Sequence, residues 1–406
     1  MTDPAATADL TPSRVLRWKI AIFAIFLTSG LSIATWASRV PAIKDALDVD
    51  NTQIGALLMA AGVASILGLS LSTPVLARFG ARRGMLALML TFAAGVALVG
   101  VGTDALGSYP VVLAGLVLFG FGNGCLDVIM NVEATAIEQL GGKTILPLFH
   151  AFFSFGTVIG AGLGTLAVGV GVDVLGHTAA VAVLIAAFAV AAIANVPVRP
   201  SVDPDPSEHG AGWRGRVAVA LSAWREPRTY ALGVIMLGMA FAEGSANDWL
   251  ALGIVDGHGG DETLGAVGLT VFSVAMTAVR VFGGPLVDRF GRVVMLRVLA
   301  LSAAAGLTLF ILAPNLPLVL VGAALWGVGA SLGFPLGMSA AADDPAKAAA
   351  RVSAAATIGY IAFLAGPPIL GVISDRIGLL NTLFVIVVLS IASGLASGAA
   401  RPLAKD

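Results

Sequence analysis

The 406-residue chain is 58% apolar and only 12% charged, with a mean hydropathy of +0.95 and a net charge of −1. Soluble domains carry about 25% charged residues, so this composition excludes a protein covered by water-facing surface and requires lipid in its place. The absence of a basic tail or patch argues against a nucleic-acid partner, and the single cysteine, Cys125, rules out an intrachain disulfide or a cysteine metal cluster.

Fifty glycines suit closely packed membrane helices. An excess of Arg over Lys, with abundant Ala, Gly and Val, points to a GC-rich bacterium and hence to a bacterial cytoplasmic (inner) membrane. The first 17 residues are polar and include Arg14 and Arg17. The apolar run behind them leads to Ser38-Arg39-Val40-Pro41 rather than a small-residue cleavage site, so it reads as an uncleaved first span.

A span needs about 20 apolar residues. Twelve such runs follow one another, at 18–38, 53–76, 85–103, 109–132, 146–170, 177–196, 229–254, 263–287, 293–313, 317–340, 352–373 and 379–399. With the N-terminus in the cytoplasm, the inside segments hold 19 Lys and Arg and the outside segments hold 3, namely Arg39, Lys44 and Arg376. This asymmetry places both termini in the cytoplasm. Six spans (1–196) precede a hydrophilic stretch at 197–228, and six follow it (229–406). That stretch opens as a Pro-rich acidic linker. Its second half repeats Trp213, Val217, Leu221 and Trp224 at helical spacing, which predicts either a short interfacial helix on the cytoplasmic leaflet or plain linker.

The halves repeat each other. Pro74, Arg78, Phe79 and Gly80 after the second span match Pro285, Arg289, Phe290 and Gly291 after the eighth, 211 positions later. The segment Gly284-x-x-x-Asp288-Arg289-x-Gly291-Arg292 resembles the signature loop of the major facilitator superfamily, at the inner turn where that family carries it. Gly371-x-x-x-Asp375-Arg376-x-Gly378 is a partial copy, and the N-terminal copy has Ala77 where the acid stands. Gly124-Cys125-Leu126-Asp127 with Asn131, and Phe152-Phe153-Ser154-Phe155-Gly156 preceded by His150, are similar to the fucose-permease-like branch. Ala37 stands where that branch's sugar permease has an acid, which points away from a sugar. The resemblance implies an all-α membrane protein with twelve helices in two six-helix pseudo-symmetric halves.

Ionisable groups inside spans are costly, about 2.5–3.5 kcal/mol at mid-helix, and default to functional candidates. Asn123, Asp127 and Asn131 share one face of span 4 by their i, i+4, i+8 spacing. Span 7 carries Glu243, with Asn247 one turn on and Asp248 turned elsewhere. A carboxyl held away from water takes up a proton more readily, so Asp127 and Glu243 are the leading proton-coupling candidates, with His150 and Glu133 behind them. They are expected to face one central cavity, as the corresponding spans do in the resembling family. Ser32, Trp36, Asn123, Asn131, Asn247 and Trp326 are substrate-cavity candidates, although for the two tryptophans interfacial packing is the competing reading. Gating candidates are Asp288, Arg289, Arg292, Arg78, Asp375, Arg376, Arg39 and Asp248; Arg39 at the outer boundary reads equally as a snorkelling side chain. Arg280, inside span 8, is expected to partner a carboxylate from another helix, as a structural pair rather than the competing reading, a substrate site. In span 5, Gly156, Gly160, Gly162 and Gly164 read as a packing surface.

No nucleotide-binding loop and no nucleophile–base or metal-ligand cluster is visible, so neither an ATP-driven pump nor an enzyme is expected, and no cofactor. The resemblance implies a secondary transporter that moves a small organic solute by alternating access, with protons as the expected coupling ion and a monomer as the expected form. Within that class, export by drug or metabolite antiport is the alternative to uptake by symport. A membrane-embedded enzyme or receptor-like sensor is the alternative from another class.

Overall fold

The structure is a computed structural model that describes residues 11–141, 145–198, 223–343 and 348–403. Most of the expected helix at Trp213–Glu226 lies outside these residues. Within them the chain is helical almost throughout, with no strand. In lipid a helix satisfies every backbone polar group within itself, which is why apolar runs of this length take no other form.

Helix α1 (Pro12–Ala37) is followed by short α2 (Val40–Leu47) and by α3 (Asn51–Gly100), which runs on into a π-helical turn, Val101–Ala105. Next come α4 (Tyr109–Gly141), α5 (Leu146–Gly169) and α6 (Val174–Ile193). The second half holds α7 (Pro227–Leu252), α8 (Glu262–Phe282), short α9 (Gly284–Phe290) and α10 (Arg292–Leu312). A broken pair, α11 (Leu316–Ala330) and α12 (Gly333–Ala341), precedes α13 (Ala348–Ile377), α14 (Leu379–Thr382) and α15 (Phe384–Ala396).

Eleven runs are long and apolar enough to cross a membrane, one of them the 55-residue Asn51–Ala105. At 1.5 Å per residue that run is more than twice a bilayer's apolar thickness. It breaks at Gly80, with φ 69° and ψ 165°. Beyond the break Gly84 comes within reach of the Val75 side chain, so the chain has folded back. The run therefore holds spans 2 and 3, which brings the crossings among the described residues to twelve.

The chain divides into two compact units, Met1–Val49 with Leu57–His209 and Asp50–Ala56 with Gly210–Asp406. The same internal contacts recur in each. A Cβ on Gly120 would collide with the Ala61 carbonyl, and one on Gly327 with the Phe272 carbonyl. Gly95 meets Gly115, and Gly306 meets Gly322; Gly122 meets Phe92, and Gly329 meets Ala303. Residues 61, 92 and 95 recur 211 positions later, while 115, 120 and 122 recur 207 later. The four-residue difference falls in the connection between the third and fourth spans, which is longer in the first unit. The repetition seen in the loops thus extends through the helix packing.

The loop copies share a backbone. Gly80, Gly291 and Gly378 have φ 69°, 79° and 83° with ψ 165°, 157° and 149°. That region is essentially restricted to glycine, which gives a physical reason for the glycine ending each copy.

In the first unit α1 and α5 run parallel and touch backbone to backbone. A Cβ on Gly156 would strike the Leu27 carbonyl, one on Gly160 the Leu31 carbonyl, and one on Gly30 the Phe153 carbonyl. Gly162 faces open space. The apolar side chains left exposed, such as Leu166, Val183, Phe282 and Leu395, suit lipid. Gly156→Val should destabilise the protein by about 1–3 kcal/mol through overpacking, whereas Gly162→Ala should leave it unchanged. Thermal unfolding of the purified variants checks both.

Candidate functional site

In the first unit, α4 turns its polar row toward α1. The Ser29 hydroxyl donates to Asn123 Oδ1 at 2.5 Å. One turn on, Asp127 is half-buried, and the Asn131 amide donates to its backbone carbonyl at 2.8 Å and reaches Oδ1 at 3.4 Å. Amides thus lie at both ends of this row, and the only hydrogen-bond partner its carboxylate has among the described residues is Asn131. Glu133 is buried two residues further along. His150 begins α5 on an exposed position, its ring set edge-on to Phe26. Ser32 is fully buried and donates back to the Ser29 carbonyl at 2.7 Å. Trp36 is buried in a small apolar recess with Val96, Val99, Leu116 and Phe119.

Arg39 does not snorkel. It is 2% exposed, donates from Nε to His177 Nδ1 at 3.2 Å, and holds the carbonyls of Val172 and of Asp173, the latter at 2.7 Å. It ties the end of α1 to the turn between α5 and α6. The fixed geometry reads as a structural tie within the unit, because a guanidinium buried this deeply needs several acceptors at once.

In the second unit the ionisable residues of α7 and α8 meet. Arg280 Nη2 donates to Glu243 Oε1 at 2.7 Å, and each side chain is about a fifth exposed (19% and 18%). Arg280 Nε donates to the Ser331 carbonyl at 2.9 Å, at the interruption between α11 and α12. The Asn247 amide donates to the Glu243 backbone carbonyl at 3.2 Å. Asp248 is half-buried beside the buried Trp249. Trp326 is fully buried: its indole N–H donates to the Ala242 carbonyl at 2.9 Å, and Phe272 and Phe310 pack edge-on against its ring. It belongs to the packing of the unit and does not line open space.

Among the expected gating residues, Asp288, Arg289 and Arg78 are exposed, and each arginine lies against its neighbouring phenylalanine, Phe290 or Phe79. Arg292 is the engaged member of the signature loop. It makes a two-pronged pair with Asp343, 2.8 Å on each side. Arg228 joins the same carboxylate at 2.8 Å and donates to the carbonyls of Ala399 and Arg401 at 2.9 and 3.1 Å. Asp375 accepts from the backbone N–H groups of Asn51 and Thr52 at 3.1 and 2.9 Å, and from the Thr52 hydroxyl at 2.5 Å, all within the second unit. Arg376 beside it is exposed.

Sequence reasoning missed Asp343 and His177. Asp343 lies two residues past the end of α12 in no motif. The available signal was the need of the signature arginines for an acid at a neighbouring inner helix end. His177 carried no signal, because its partner Arg39 is 138 residues away.

The geometry defines a polytopic helical membrane protein built from a duplicated unit, with charged side chains inside its spans. The sequence matches the Major Facilitator Superfamily over residues 21–367 and again over 249–404, and the chain belongs to that family. It is 30% identical to an uncharacterized transporter, y4wD, of Sinorhizobium fredii over 359 residues, covering 88% of this chain and 91% of that one. It is 27% identical to the membrane protein MosC of Rhizobium meliloti over 396 residues, 97% and 92% of the two chains. In fold it is similar to the nucleoside transporter NupG, with a TM-score of 0.70 at 14% identity over 96% of this chain and all of that one. It is likewise similar to FucP, with a TM-score of 0.64 at 17% identity over 95% and 98%. The protein is a multi-pass secondary transporter and not an enzyme.

Burial alone would raise the Asp343 carboxyl, but the hydrogen bonds and charges of Arg292 and Arg228 outweigh it and hold the group below the usual carboxylate range. A carboxyl lowered on folding contributes stability above its unfolded value, about 3.9, and loses that contribution as pH falls through the lower folded value. Asp343→Asn should therefore cost about 1.5–3 kcal/mol at neutral pH. The gap to the wild type should close in strong acid, as read by unfolding curves at several pH values.

Proposed function

We propose that this protein is a proton-coupled carrier of a small organic solute, working by alternating access with both termini in the cytoplasm. The observation that supports this reading is the presence of carboxyls inside spans of each unit, Asp127 on α4 and Glu243 on α7, both partly accessible. A charge at such depth is retained only for a task, and the two common tasks in a carrier are to bind solute and to move a proton. The Asp127 carboxyl lies beside the amide of Asn131, a group that forms hydrogen bonds with either protonation state of a carboxyl. The 19-to-3 distribution of basic residues supports the orientation. The family's fold supports carriage across the membrane without ATP. The relatives named above are bacterial, in keeping with an inner-membrane location.

In proteoliposomes with an imposed pH gradient, the wild type should accumulate solute against its concentration. Asp127→Asn or Glu243→Gln should abolish that accumulation while leaving solute exchange intact, because the amide keeps the shape of the site and removes its titration. If both variants accumulate solute with the wild-type dependence on the gradient, the proton does not travel on these acids and the reading fails.

A further inference from the structure

One stripe of α7 differs from the rest of the helix. From Gly238 to Ile254 every residue is buried except Glu243, Gly244, Asn247 and Asp248. At i, i+1, i+4 and i+5 these four lie along one side of the helix. None carries an apolar side chain, and all lie inside the span Pro227–Gly257. Other helices of this unit expose large apolar side chains, among them Val274 on α8, Leu301 on α10 and Leu395 on α15, as contact with lipid requires. Two acids, an amide and a glycine make a stripe that lipid excludes. The accessible side of this part of α7 therefore faces water or solute.

The polar groups along the stripe are unevenly satisfied. Glu243 Oε1 accepts from Arg280 at 2.7 Å. The Asn247 amide nitrogen donates to the Glu243 backbone carbonyl at 3.2 Å. That bond assigns the amide's orientation and turns its oxygen away from the helix. The Asp248 carboxylate has no hydrogen-bond or ion-pair partner among the described residues. The groups left open beyond Glu243 are thus two carboxylate oxygens and an amide oxygen, against a single spare amide N–H.

A carboxylate inside a span has to be answered by something, and the neighbouring helices do not answer Asp248. A water molecule would fill an acceptor and leave the charge. A proton would remove the charge and leave the acceptors short of donors. A primary ammonium group does both, because it brings one positive charge, three N–H donors and no acceptor. An anionic solute is repelled, and a quaternary ammonium brings its charge without a donor.

We propose that Asp248, with Asn247 beside it, is the binding site for a primary ammonium group on the transported solute. The proposal rests on the carrier reading above and names its class of solute.

Equilibrium binding to the purified protein in nanodiscs tests this without any gradient. The probes are ethanolamine, tyramine and putrescine, each set against the compound with hydroxyl in place of amine: ethylene glycol, tyrosol and butanediol. At least one amine should bind. Its hydroxyl counterpart and its trimethylated form should each bind at least tenfold more weakly, about the loss of one charge-assisted hydrogen bond. Asp248→Asn should weaken the amine to the same extent with an unfolding midpoint no lower than the wild type. Asp248→Glu, which restores the charge, should recover part of the affinity. Binding of none of the three amines would overturn the proposal. So would equal binding of an amine and its hydroxyl counterpart, or wild-type amine affinity in Asp248→Asn. A pH gradient imposed on proteoliposomes separates this site from the proton-coupled reading. Amine binding through Asp248 without gradient-driven uptake upholds the site and overturns the coupling. Gradient-driven accumulation of another solute without amine binding does the reverse.

Discussion

A charge inside a bilayer has to be answered where it sits, and this condition organises the ionisable residues of the protein. Lipid offers no water to a stranded carboxylate or guanidinium. The structure meets each such group in a different way. Arg39 is surrounded by backbone carbonyls and His177. Glu243 and Arg280 answer each other across two helices. Among the described residues, the Asp127 carboxylate has the Asn131 amide as its hydrogen-bond partner. A group held by several fixed partners is suited to holding helices together. A group with one exchangeable partner, or with none that is charged, is suited to changing its state during a cycle.

The second constraint is close approach. Without a hydrophobic force between helices in lipid, association depends on packing at short range. The parallel contact of α1 with α5 relies on Gly30, Gly156 and Gly160, and the recurring contacts of the two units rely on glycines at matching positions. The same residue serves the loops in another way, by supplying a backbone conformation at Gly80, Gly291 and Gly378 that side chains forbid. The high glycine content therefore records two separate requirements. Both follow from a single six-helix plan used twice.

The architecture was legible in the sequence because its causes are local. Span length depends on apolar runs, and duplication on short matching segments. The side-chain sites were legible only as candidates, because their meaning depends on neighbours distant in the chain. Glu243 has no basic residue one turn away on its own helix, yet Arg280 reaches it from the next one. Trp326 could serve stacking or packing on sequence grounds, and it is enclosed by Phe272, Phe310 and the Ala242 carbonyl. In the signature loop Asp288, Arg289 and Arg292 are all marked by the motif, and Arg292 is the one in the ion network, through an acid no motif marks. The expectation that Arg280 would find a carboxylate came true because a buried guanidinium leaves few other arrangements.

The central claim, proposed above, is that a proton crosses with the solute on a carboxyl inside a span. Its most direct test is solute uptake into proteoliposomes driven by a pH gradient alone, with the membrane potential clamped at zero by potassium and valinomycin. The account predicts accumulation of solute against its concentration by the wild type and none by the double variant Asp127→Asn/Glu243→Gln. Accumulation by the double variant equal to that of the wild type would contradict the account.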